Sequence, residues 1–318
     1  MTDEIRIREA RLDDAAAVAD FTSDTWSGHG REDYLPRVFE EWVRANDERR
    51  RTFVACDESD AAVGLSQIVM LTDDEAWGQG LRVAPRVRDR NVGSKLSRAG
   101  FEWARERGAT VARGMVFSWN VMGLGHARAN GFDPATEFRF VHPEPDAGAA
   151  PDLPVHDDPT AAWRYWTDSD ARSRLRGLAM SPVESWALSE LARETLREAA
   201  SADGLFVVDD GGTCGMAFRV REYETGGESA ERVAVYGVGE WDDRAACRSL
   251  LDAVARDAGA RGVDSTRLLV PETPRHVSDV AEVRTEIADG PDFVMAADLT
   301  DESLANPEQR TGRRDGRR

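Results

Sequence analysis

One segment, residues 75–103, changes its hydrophobic period and constrains the fold more than any other part of the sequence. Residues 75–83 follow an acidic turn and fit a strand, in which side chains alternate between two faces. The apolar residues that follow are four, three and four positions apart, namely Val92, Leu96, Ala99 and Trp103. That spacing places them on one face of a helix of about four turns. The segment therefore predicts a strand that leads into a helix through a short loop.

This loop is suited to bind an anion. It contains Arg88, Arg90, Asn91 and Gly93. A helix N-terminus leaves main-chain N–H groups unpaired and carries partial positive charge. Gly93 allows close approach of a phosphate, and asparagine tolerates positive φ better than other non-glycine residues. We interpret the loop as a pyrophosphate site, the alternative being a plain strand-to-helix connection with solvated arginines.

The elements around this segment define a first domain over residues 1–142. A strand near Ile5 precedes helices at residues 15–21 and about 32–50, with Asp13 and Asp14 predicted to cap the first helix. Strands at 52–56, 62–70 and 75–83, separated by acidic turns, are typical of a meander. After the helix come a strand at 111–119, a short helix from Val121 and a last strand at 137–141. The predicted class is α/β with a mixed sheet.

A second domain is predicted because the same element order recurs. Five prolines between residues 143 and 160 indicate a linker. Beyond it we predict a first strand at 163–166, helices at 169–178 and 183–199, strands at 205–208, 214–221 and 232–238, a helix that Gly259 ends, and strands at 267–270 and 293–297. The second domain would span residues 161–300, and residues 301–318 would form a disordered tail.

The loop resembles the pyrophosphate-binding motif of the GNAT superfamily of N-acetyltransferases, Q/R-x-x-G-x-G/A after a strand that ends Val-x-Pro. Val83 and Pro85 match the strand end, and Arg88, Asn91 and Gly93 fall on the motif, with asparagine in place of its first glycine. A second stretch, Asn120 followed by Gly131-Phe132, is similar to another segment of the family. The resemblance covers about residues 5–141.

The resemblance implies acetyl-CoA as co-substrate and two GNAT-like domains in tandem. It assigns the pantetheine arm to residues 81–83, the pyrophosphate to residues 88–94 and a further contact to Asn120. The implied coenzyme residues are Leu81, Arg82, Val83, Arg88, Asp89, Arg90, Asn91, Val92, Gly93, Ser94 and Asn120. In the second domain the equivalent junction carries Glu240, Asp242 and Asp243, which would repel a pyrophosphate. We predict that these acidic residues cap the helix and that this half does not bind CoA.

The resemblance also directs attention to two candidate catalytic residues. An alkyl ammonium must lose its proton before it can attack a thioester, and Glu75, on the strand before the loop, is the carboxylate best placed to assist. Ala127 occupies the position where the family commonly has a tyrosine that protonates the leaving thiolate, and the adjacent His126 is a candidate substitute. For Glu75 a solvated strand end, and for His126 a surface or core-edge position, are the alternatives.

The sequence thus predicts an acetyl-CoA-dependent N-acetyltransferase acting on a primary amine of a small molecule or peptide. The alternative is a non-catalytic module that binds acyl-CoA or a protein partner. The missing tyrosine and the degenerate second half favour that alternative. An oligomer is possible.

Composition excludes several other classes. The net charge of −18 opposes nucleic-acid binding, and 40 of the 41 basic residues are arginine, Lys95 being the exception. Acidic residues spread along the whole chain suggest a halophilic protein, the alternative being an ordinary acidic protein from a GC-rich genome. The three cysteines have neither disulfide nor zinc spacing, so no metal is predicted. An acidic start and the lack of an apolar run near ~20 residues predict no membrane segment and a cytoplasmic location.

Overall fold

The computed structural model describes residues 5–23, 25, 33–225, 230–301 and 304. These residues separate into two compact units. The first unit comprises the described residues of Met1–Met115, Asn120–Pro134 and Met295–Arg318. The second comprises those of Val116–Trp119 and Ala135–Val294. Each unit therefore combines segments that are far apart in the sequence. A single cut of the chain would not separate the two units.

The first unit is a sheet with helices on both faces. Its elements are β1 (Arg6–Glu9), α1 (Ala15–Thr22), α2 (Leu35–Arg44), β2 (Arg50–Cys56), β3 (Ala62–Met70), β4 (Glu75–Val83), α3 (Val92–Arg105), β5 (Val111–Phe117) and α4 (Val121–Ala129). Strands β1 to β4 are antiparallel in chain order, and β5 is parallel to β4. The α/β class predicted from the sequence is confirmed, and β3 and β4 have the predicted bounds.

Two cores fix the helices of the first unit to opposite faces of its sheet. On one face, Leu35 and Phe39 of α2 pack with Val54 and Leu65 of β2 and β3. On the other face, Leu96 of α3 packs with residues of the same strands that point the other way, including Val63. The alternation of side chains along each strand therefore separates the α1–α2 side from the α3 side.

The second unit also contains a mixed sheet and helices, with several short elements. They are β6 (Asp133–His142), β7 (Val155–His156), α5 (Pro159–Asp168), α6 (Asp170–Arg174), β8 (Leu178–Met180), β9 (Leu188–Glu190), α7 (Arg193–Ser201), β10 (Leu205–Asp209), β11 (Thr213–Glu224), β12 (Arg232–Tyr236), β13 (Glu240–Trp241), α8 (Arg244–Arg261), β14 (Ser265–Pro271), α9 (Pro274–Glu282) and β15 (Glu286–Ile287). The strand order is β6-β14-β12-β11-β10-β7, with β12 parallel to β14. Leu250 and Val254 of α8 pack on this sheet with Tyr236 and Leu268.

Three strands are divided between the units, which the sequence does not predict; one is β5, whose Val116 and Phe117 belong to the second unit. Residues 135–142 of β6 lie in the second unit, where Val141 and Phe138 pair with Leu268 and Pro271 of β14. A last strand, β16 (Asp292–Asp298), lies next to β5, and its residues from Met295 belong to the first unit. Pairing between residues far apart in sequence leaves no mark on local hydrophobic period, so this exchange is invisible to pattern analysis.

The end of the described chain is anchored in the first unit. The N–H of Leu299 donates to the Thr110 carbonyl over 2.8 Å, and Arg105 Nε donates to the Leu299 carbonyl over 2.6 Å. Leu299 and Leu304 are buried in the core around Phe101. Leu304 is therefore packed although it falls in the predicted tail; residues 302–303 and 305–318 of that tail lie outside the described residues.

Several predicted elements of the second half are wrong. Residues 163–166, predicted as a strand, lie in α5, because Asp158 caps a helix that begins at Pro159 and the buried Ala162 and Trp166 are four residues apart. The predicted linker contains β7, which pairs with β10. The helix predicted at 183–199 is instead β9 followed by α7. In the first half, α2 is shorter than predicted.

The expected cap of α1 is also wrong. Neither Asp13 nor Asp14 caps that helix, because Asp14 is bound to Arg8 and to the N–H of Arg11.

Candidate functional site

The pairing of β4 with β5 ends halfway along β4. The parallel register joins Glu75 to Val111 and Trp77 to Arg113, and no later pair of these two strands is recorded among the described residues. Gly78 and Gly114 lie where the pairing ends. A Cβ on Gly114 would be only 2.9 Å from the carbonyl oxygen of Gly78, so the two strands are too close at this point for a side chain at position 114. Residues 78–83 are called the open segment of β4, because none of them pairs with β5 in the part of the chain that the structure describes. The Leu81 carbonyl of this segment accepts from Arg82 Nη1 over 3.1 Å.

A bulge interrupts the open segment. Leu65 is opposite Arg82 and Gln67 is opposite Gln79, so β4 has one more residue than β3 between these pairs. Gly80 lies in the bulge with φ +66°. A Cβ there would also lie 2.6 Å from the Trp42 ring of α2. The bulge thus depends on glycine both for its backbone conformation and for the approach of α2. The sequence analysis did not identify this residue.

The loop after β4 exposes the N-terminus of α3. Val87 and Val92 are buried and hold the loop to the core, whereas residues 88–91 are exposed. Asn91, which precedes the helix, is left-handed with φ +57°, as its residue type predicts, and its side chain makes no cap. The first N–H of the helix to bond within it is that of Lys95, which donates to the Asn91 carbonyl over 3.0 Å. Among the described residues no acceptor is recorded for the N–H groups of residues 92–94.

The predicted coenzyme residues divide into those on the loop and those whose side chains are used elsewhere. Arg88 is exposed, and its Nε donates to the Val83 carbonyl over 3.4 Å. Asp89 is exposed with φ +65°. Arg82 is instead bound to the fully buried carboxylate of Asp33, Nε to Oδ2 at 2.7 Å, and its Nη1 donates to the Leu81 carbonyl over 3.1 Å. The Asn120 side chain caps α4, its Oδ1 accepting from the Gly123 N–H over 2.9 Å.

His126 lies against the loop helix. A Cβ on Gly93 would be 2.7 Å from Cε1 of its ring. Its Nε2 is 3.1 Å from Ser97 Oγ, and burial lowers the pKa of the ring below its usual range. Ala127 is buried in α4. The structure therefore brings His126 together with residues 93–97 of α3.

Glu75 lies at the other end of β4. It is buried and forms an ion pair with Arg113, and its main-chain N–H donates to Thr72 Oγ1 over 3.1 Å. Leu81 follows it by six positions, or about 20 Å along a strand. It shares the α1–α2 face with Trp77, as the two-residue period predicts. The structure does not bring Glu75 and the loop together.

A chain of amide and hydroxyl groups crosses the α1–α2 face at the start of the open segment. Gln79 Nε2 donates to Gln67 Oε1 over 2.7 Å, and Gln67 Nε2 donates to Thr52 Oγ1 over 3.0 Å. Thr52 and Gln67 are almost fully buried, while Gln79 is half-buried. Because its amide nitrogen is used in the chain, Gln79 directs its carbonyl oxygen away from Gln67 as an acceptor. Sequence patterns did not reveal this row, which arises only from cross-strand register.

The corresponding junction of the second unit is occupied by its own side chains. Asp243 Oδ1 accepts from the Ala246 N–H over 2.9 Å and caps α8, which confirms the capping predicted for this position. Glu240 is buried between His276 Nε2 at 2.6 Å and Arg275 Nη2 at 2.7 Å. Asp242 accepts from the hydroxyl of Tyr165 over 2.8 Å. The predicted capping is therefore wrong for Glu240 and Asp242, whose carboxylates are bound to other side chains of the same unit.

The residues that follow β12 in this unit also form main-chain hydrogen bonds. The N–H of Gly237 donates to the Phe218 carbonyl over 2.7 Å, and its carbonyl accepts from the Met180 N–H over 3.0 Å. The Gly239 N–H donates to the Leu269 carbonyl over 2.8 Å. No open segment comparable to residues 78–83 follows β12 in the part of this unit that the structure describes.

In the first unit, a strand whose pairing with β5 ends at Trp77 leads into a helix without a side-chain cap. Residues 15–121 match the acetyltransferase (GNAT) family model. This part of the first unit is therefore similar to the GNAT acetyltransferase family.

Solved structures extend the likeness of fold over nearly the whole chain. A GCN5-related N-acetyltransferase from Sphaerobacter thermophilus is 15% identical with a TM-score of 0.60, over 93% of this chain and 96% of that one. A Pyrococcus horikoshii protein assigned as an acetyltransferase is 15% identical with a TM-score of 0.50, over 92% and 89%. No curated protein shows a significant sequence match. At such identities the likeness establishes the fold.

No helix in the described part of the chain combines the length and apolar character that a membrane span requires. Among the same residues, no three His, Cys, Asp or Glu side chains form a group able to hold a metal ion.

Proposed function

We propose that this protein is an acetyl-CoA-dependent N-acetyltransferase that acts on a primary amine. The observation that carries the proposal is the combination of the open segment of β4 with the uncapped N-terminus of α3. A hydrogen-bonding strand side suits an amide-containing arm, and bare helix N–H groups suit a phosphate. The match to the family model supports acetyl transfer, whereas the amine acceptor is an inference from chemistry.

The residues present fit this co-substrate. The main chain of residues 81–83 would bind the pantetheine amides, and the N–H groups of residues 92–94 would bind the pyrophosphate, assisted by Arg88 and Arg90. Asn120 retains its amide NH₂ for a further contact, because only its Oδ1 is used in the cap. The acetyl thioester supplies an electrophilic carbonyl, at which the amine nitrogen forms the new C–N bond while the C–S bond breaks.

The amine must lose a proton before its nitrogen can attack the thioester. An alkyl ammonium with a pKa near ~10.4 is unprotonated in only about one molecule in a thousand at neutral pH. Glu75 is the proposed base, and since it is paired with Arg113 it would act through water or after displacement of the guanidinium. The Gln79 carbonyl oxygen, closer to the loop, offers a hydrogen-bond acceptor for the amine.

Departure of the thiolate does not require the missing tyrosine. A thiol with pKa near ~8.5 that leaves unprotonated at pH 7 costs only about 2 kcal/mol relative to protonated departure. Direct attack of the amine is therefore compatible with Ala127. His126, adjacent to it, is the substitute acid predicted from the sequence.

The coenzyme site is tested by two arginines on one loop. Arg88→Ala removes a charge beside the helix terminus, whereas Arg86→Ala removes the same charge from a residue paired with Asp57. CoA affinity is measured by isothermal titration in buffer with and without high salt. Arg88→Ala should reduce the affinity about fivefold to tenfold, because one charge-assisted contact contributes about 1–1.4 kcal/mol. Arg86→Ala should leave the affinity within about twofold of that of the parent. Equal affinities for parent and Arg88→Ala, or no CoA binding by the parent, would contradict the proposal.

The alternative class is a module that binds acyl-CoA without turnover. The paired state of Glu75 and the alanine at position 127 are the observations in its favour. Thiol release from acetyl-CoA, measured against polyamines, amino acids, aminoglycosides and N-terminal peptides, distinguishes the two classes. Affinity with no amine-dependent release would establish the module. If turnover occurs, Glu75→Gln should lower kcat about a hundredfold if Glu75 is the base.

We further propose that the second unit does not bind CoA. Its helix terminus is capped by Asp243 and the strand before it is bonded on both sides. Titration should therefore give one CoA per chain, and a second site would refute this part of the proposal. The cytoplasmic location and the halophilic character stay predictions; stability measured against KCl concentration tests the latter.

A further inference from the structure

The contact between His126 and Gly93 gives a physical reason for glycine at position 93. The three atoms nearest to a Cβ at this position all belong to the His126 ring, with Cε1 at 2.7 Å, Nδ1 at 3.1 Å and Nε2 at 3.6 Å. Gly93 is helical and does not have positive φ. Glycine is therefore required by the approach of the ring and not by backbone conformation.

The ring is held in a defined place between two helices. Nε2 is 3.1 Å from Ser97 Oγ, and Ser97 lies one helical turn after Gly93 on the same side of α3. On α4, Asn130 Nδ2 is 3.3 Å from Nδ1 of the ring and donates to the His126 carbonyl over 2.8 Å. His126 thus connects α4 to the first two turns of α3. Since burial lowers its pKa, the ring is neutral near pH 7 and can pack without a counter-charge.

We propose that His126 is a positioning residue for the coenzyme loop: its ring fixes the first turn of α3, so that the N–H groups of residues 92–94 are held in place for the phosphates. It does not act on the thioester. This inference rests on the proposed function, because it concerns the same CoA site. It assigns His126 to the phosphate end of that site, in place of the proton-donating role predicted from the sequence.

A double-mutant cycle tests the contact directly. The four proteins are the parent, Gly93→Ala, His126→Ala and the double variant. Gly93→Ala alone should lower the ligand-free Tm and weaken CoA binding about tenfold, because its methyl group collides with the ring. In the His126→Ala background the same substitution should change CoA affinity less than about twofold, since the colliding atoms are gone.

Gly100→Ala is the matched control. It makes the same change in the same helix, where the new Cβ would lie 3.7 Å from Ile68, an ordinary contact. It should leave CoA affinity unchanged and raise the Tm slightly, because alanine favours the helix over glycine.

The kinetic readout separates positioning from proton transfer. His126→Ala should raise the KM for acetyl-CoA about fivefold and leave kcat and its pH profile unchanged. His126→Phe keeps a ring but has no titratable nitrogen, and its KM should remain within about threefold of that of the parent. A fall in kcat at unchanged KM with a shifted pH profile would overturn the proposal in favour of an acid at the thioester. Absence of coupling in the Tm cycle would overturn the contact itself.

Failure of the proposed function has a different signature. A parent that binds no CoA refutes that function and the positioning role with it. The ligand-free Tm cycle would still show whether the ring and position 93 are in contact. A parent that binds CoA together with a His126→Ala variant of equal affinity refutes only the present inference.

Discussion

The two strand-to-helix junctions of this chain have one topology and opposite chemistry. In the first unit, Asn91 precedes α3 in a left-handed conformation and makes no cap. In the second, Asp243 precedes α8 in an extended conformation and caps it over 2.9 Å. A helix N-terminus is thus available to a ligand only while no side chain of its own occupies it. The conformation of one residue before the helix distinguishes the two cases.

The hairpins before these junctions differ as well. In the first unit the extra residue of the bulge lies on β4, the strand that leads to the loop. In the second it lies between Arg219 and Arg221 on β11, the neighbouring strand. Only the first arrangement alters the strand that would carry the coenzyme arm. The difference between the two junctions therefore begins in the hairpin that precedes each helix.

The largest expected effect comes from the bulge. Gly80→Ala places a side chain at φ +66° and 2.6 Å from Trp42. It should reduce the free energy of unfolding by about 3 kcal/mol, measured by urea denaturation. Gly78→Ala, two residues earlier, meets nothing nearer than 3.9 Å and is the control, expected within about 0.5 kcal/mol of the parent. Equal stability of both variants would show that the bulge does not depend on glycine.

Replacing the side-chain amide of Asn91 by a carboxylate should make the junction before α3 resemble the junction before α8. Asn91→Asp keeps the shape of the side chain and adds the negative charge that Asp243 has in the second unit. We expect CoA affinity about 30-fold weaker at low salt, or about 2 kcal/mol, because the carboxylate would face the phosphates. The loss should shrink in high salt, where exposed charges are screened. An affinity independent of this charge at low salt would place the phosphates elsewhere.

These junctions also show what the sequence could and could not reveal. The period change at Val92 and the Asn-Gly composition predicted the loop, its left-handed residue and the start of α3, because these depend on neighbours in sequence. The bulge at Gly80, the Gln79–Gln67 pair and the contact of His126 with Gly93 depend on register between strands and on helix packing. None of these has a local pattern, so they required coordinates.

The same limit explains the errors in the second half. The strand predicted at 163–166 rests on the element order of the first half, yet the cap at Asp158 and the burial of Trp166 produce a helix. Glu75 is a candidate base through the family resemblance and its place on the strand before the loop. Its ion pair with Arg113 depends on the parallel register of β4 and β5, which the sequence does not encode locally.

Removing the Asp243 cap of α8 should have a smaller effect on the free energy of unfolding. Asp243→Ala should lower the free energy of unfolding by about 1 kcal/mol and the Tm by about 3 °C, since one N–H of α8 loses its acceptor. Asp243→Ser supplies another cap and should recover most of this loss. Neither variant should change the number of CoA molecules bound, and a second molecule bound by Asp243→Ala would show that the cap alone closes this junction.

The smallest expected effect is the contribution of His126 to the pH dependence of stability. Burial lowers the pKa of His126 in the folded chain, so below pH ~6.5 the unfolded chain takes up a proton first. Stability should therefore decrease as the pH falls through that value and level off below the folded pKa, with no contribution from this residue above it. His126→Phe should lack this component in chemical denaturation measured from pH 7.5 to 5. Parallel curves for the two proteins would show that the ring titrates normally.

The exchange of strands has a consequence for how the protein is made. Met295, where the last segment of the first unit begins, follows Pro134 by 161 positions. At about 5–20 residues per second, a ribosome needs about 8–30 s to supply it. During that interval β5 has an unpaired edge, a place where strands of other molecules can attach. A gene cut at the proline-rich segment would leave this edge exposed permanently, so co-expression of the two pieces should give soluble protein where either piece alone aggregates.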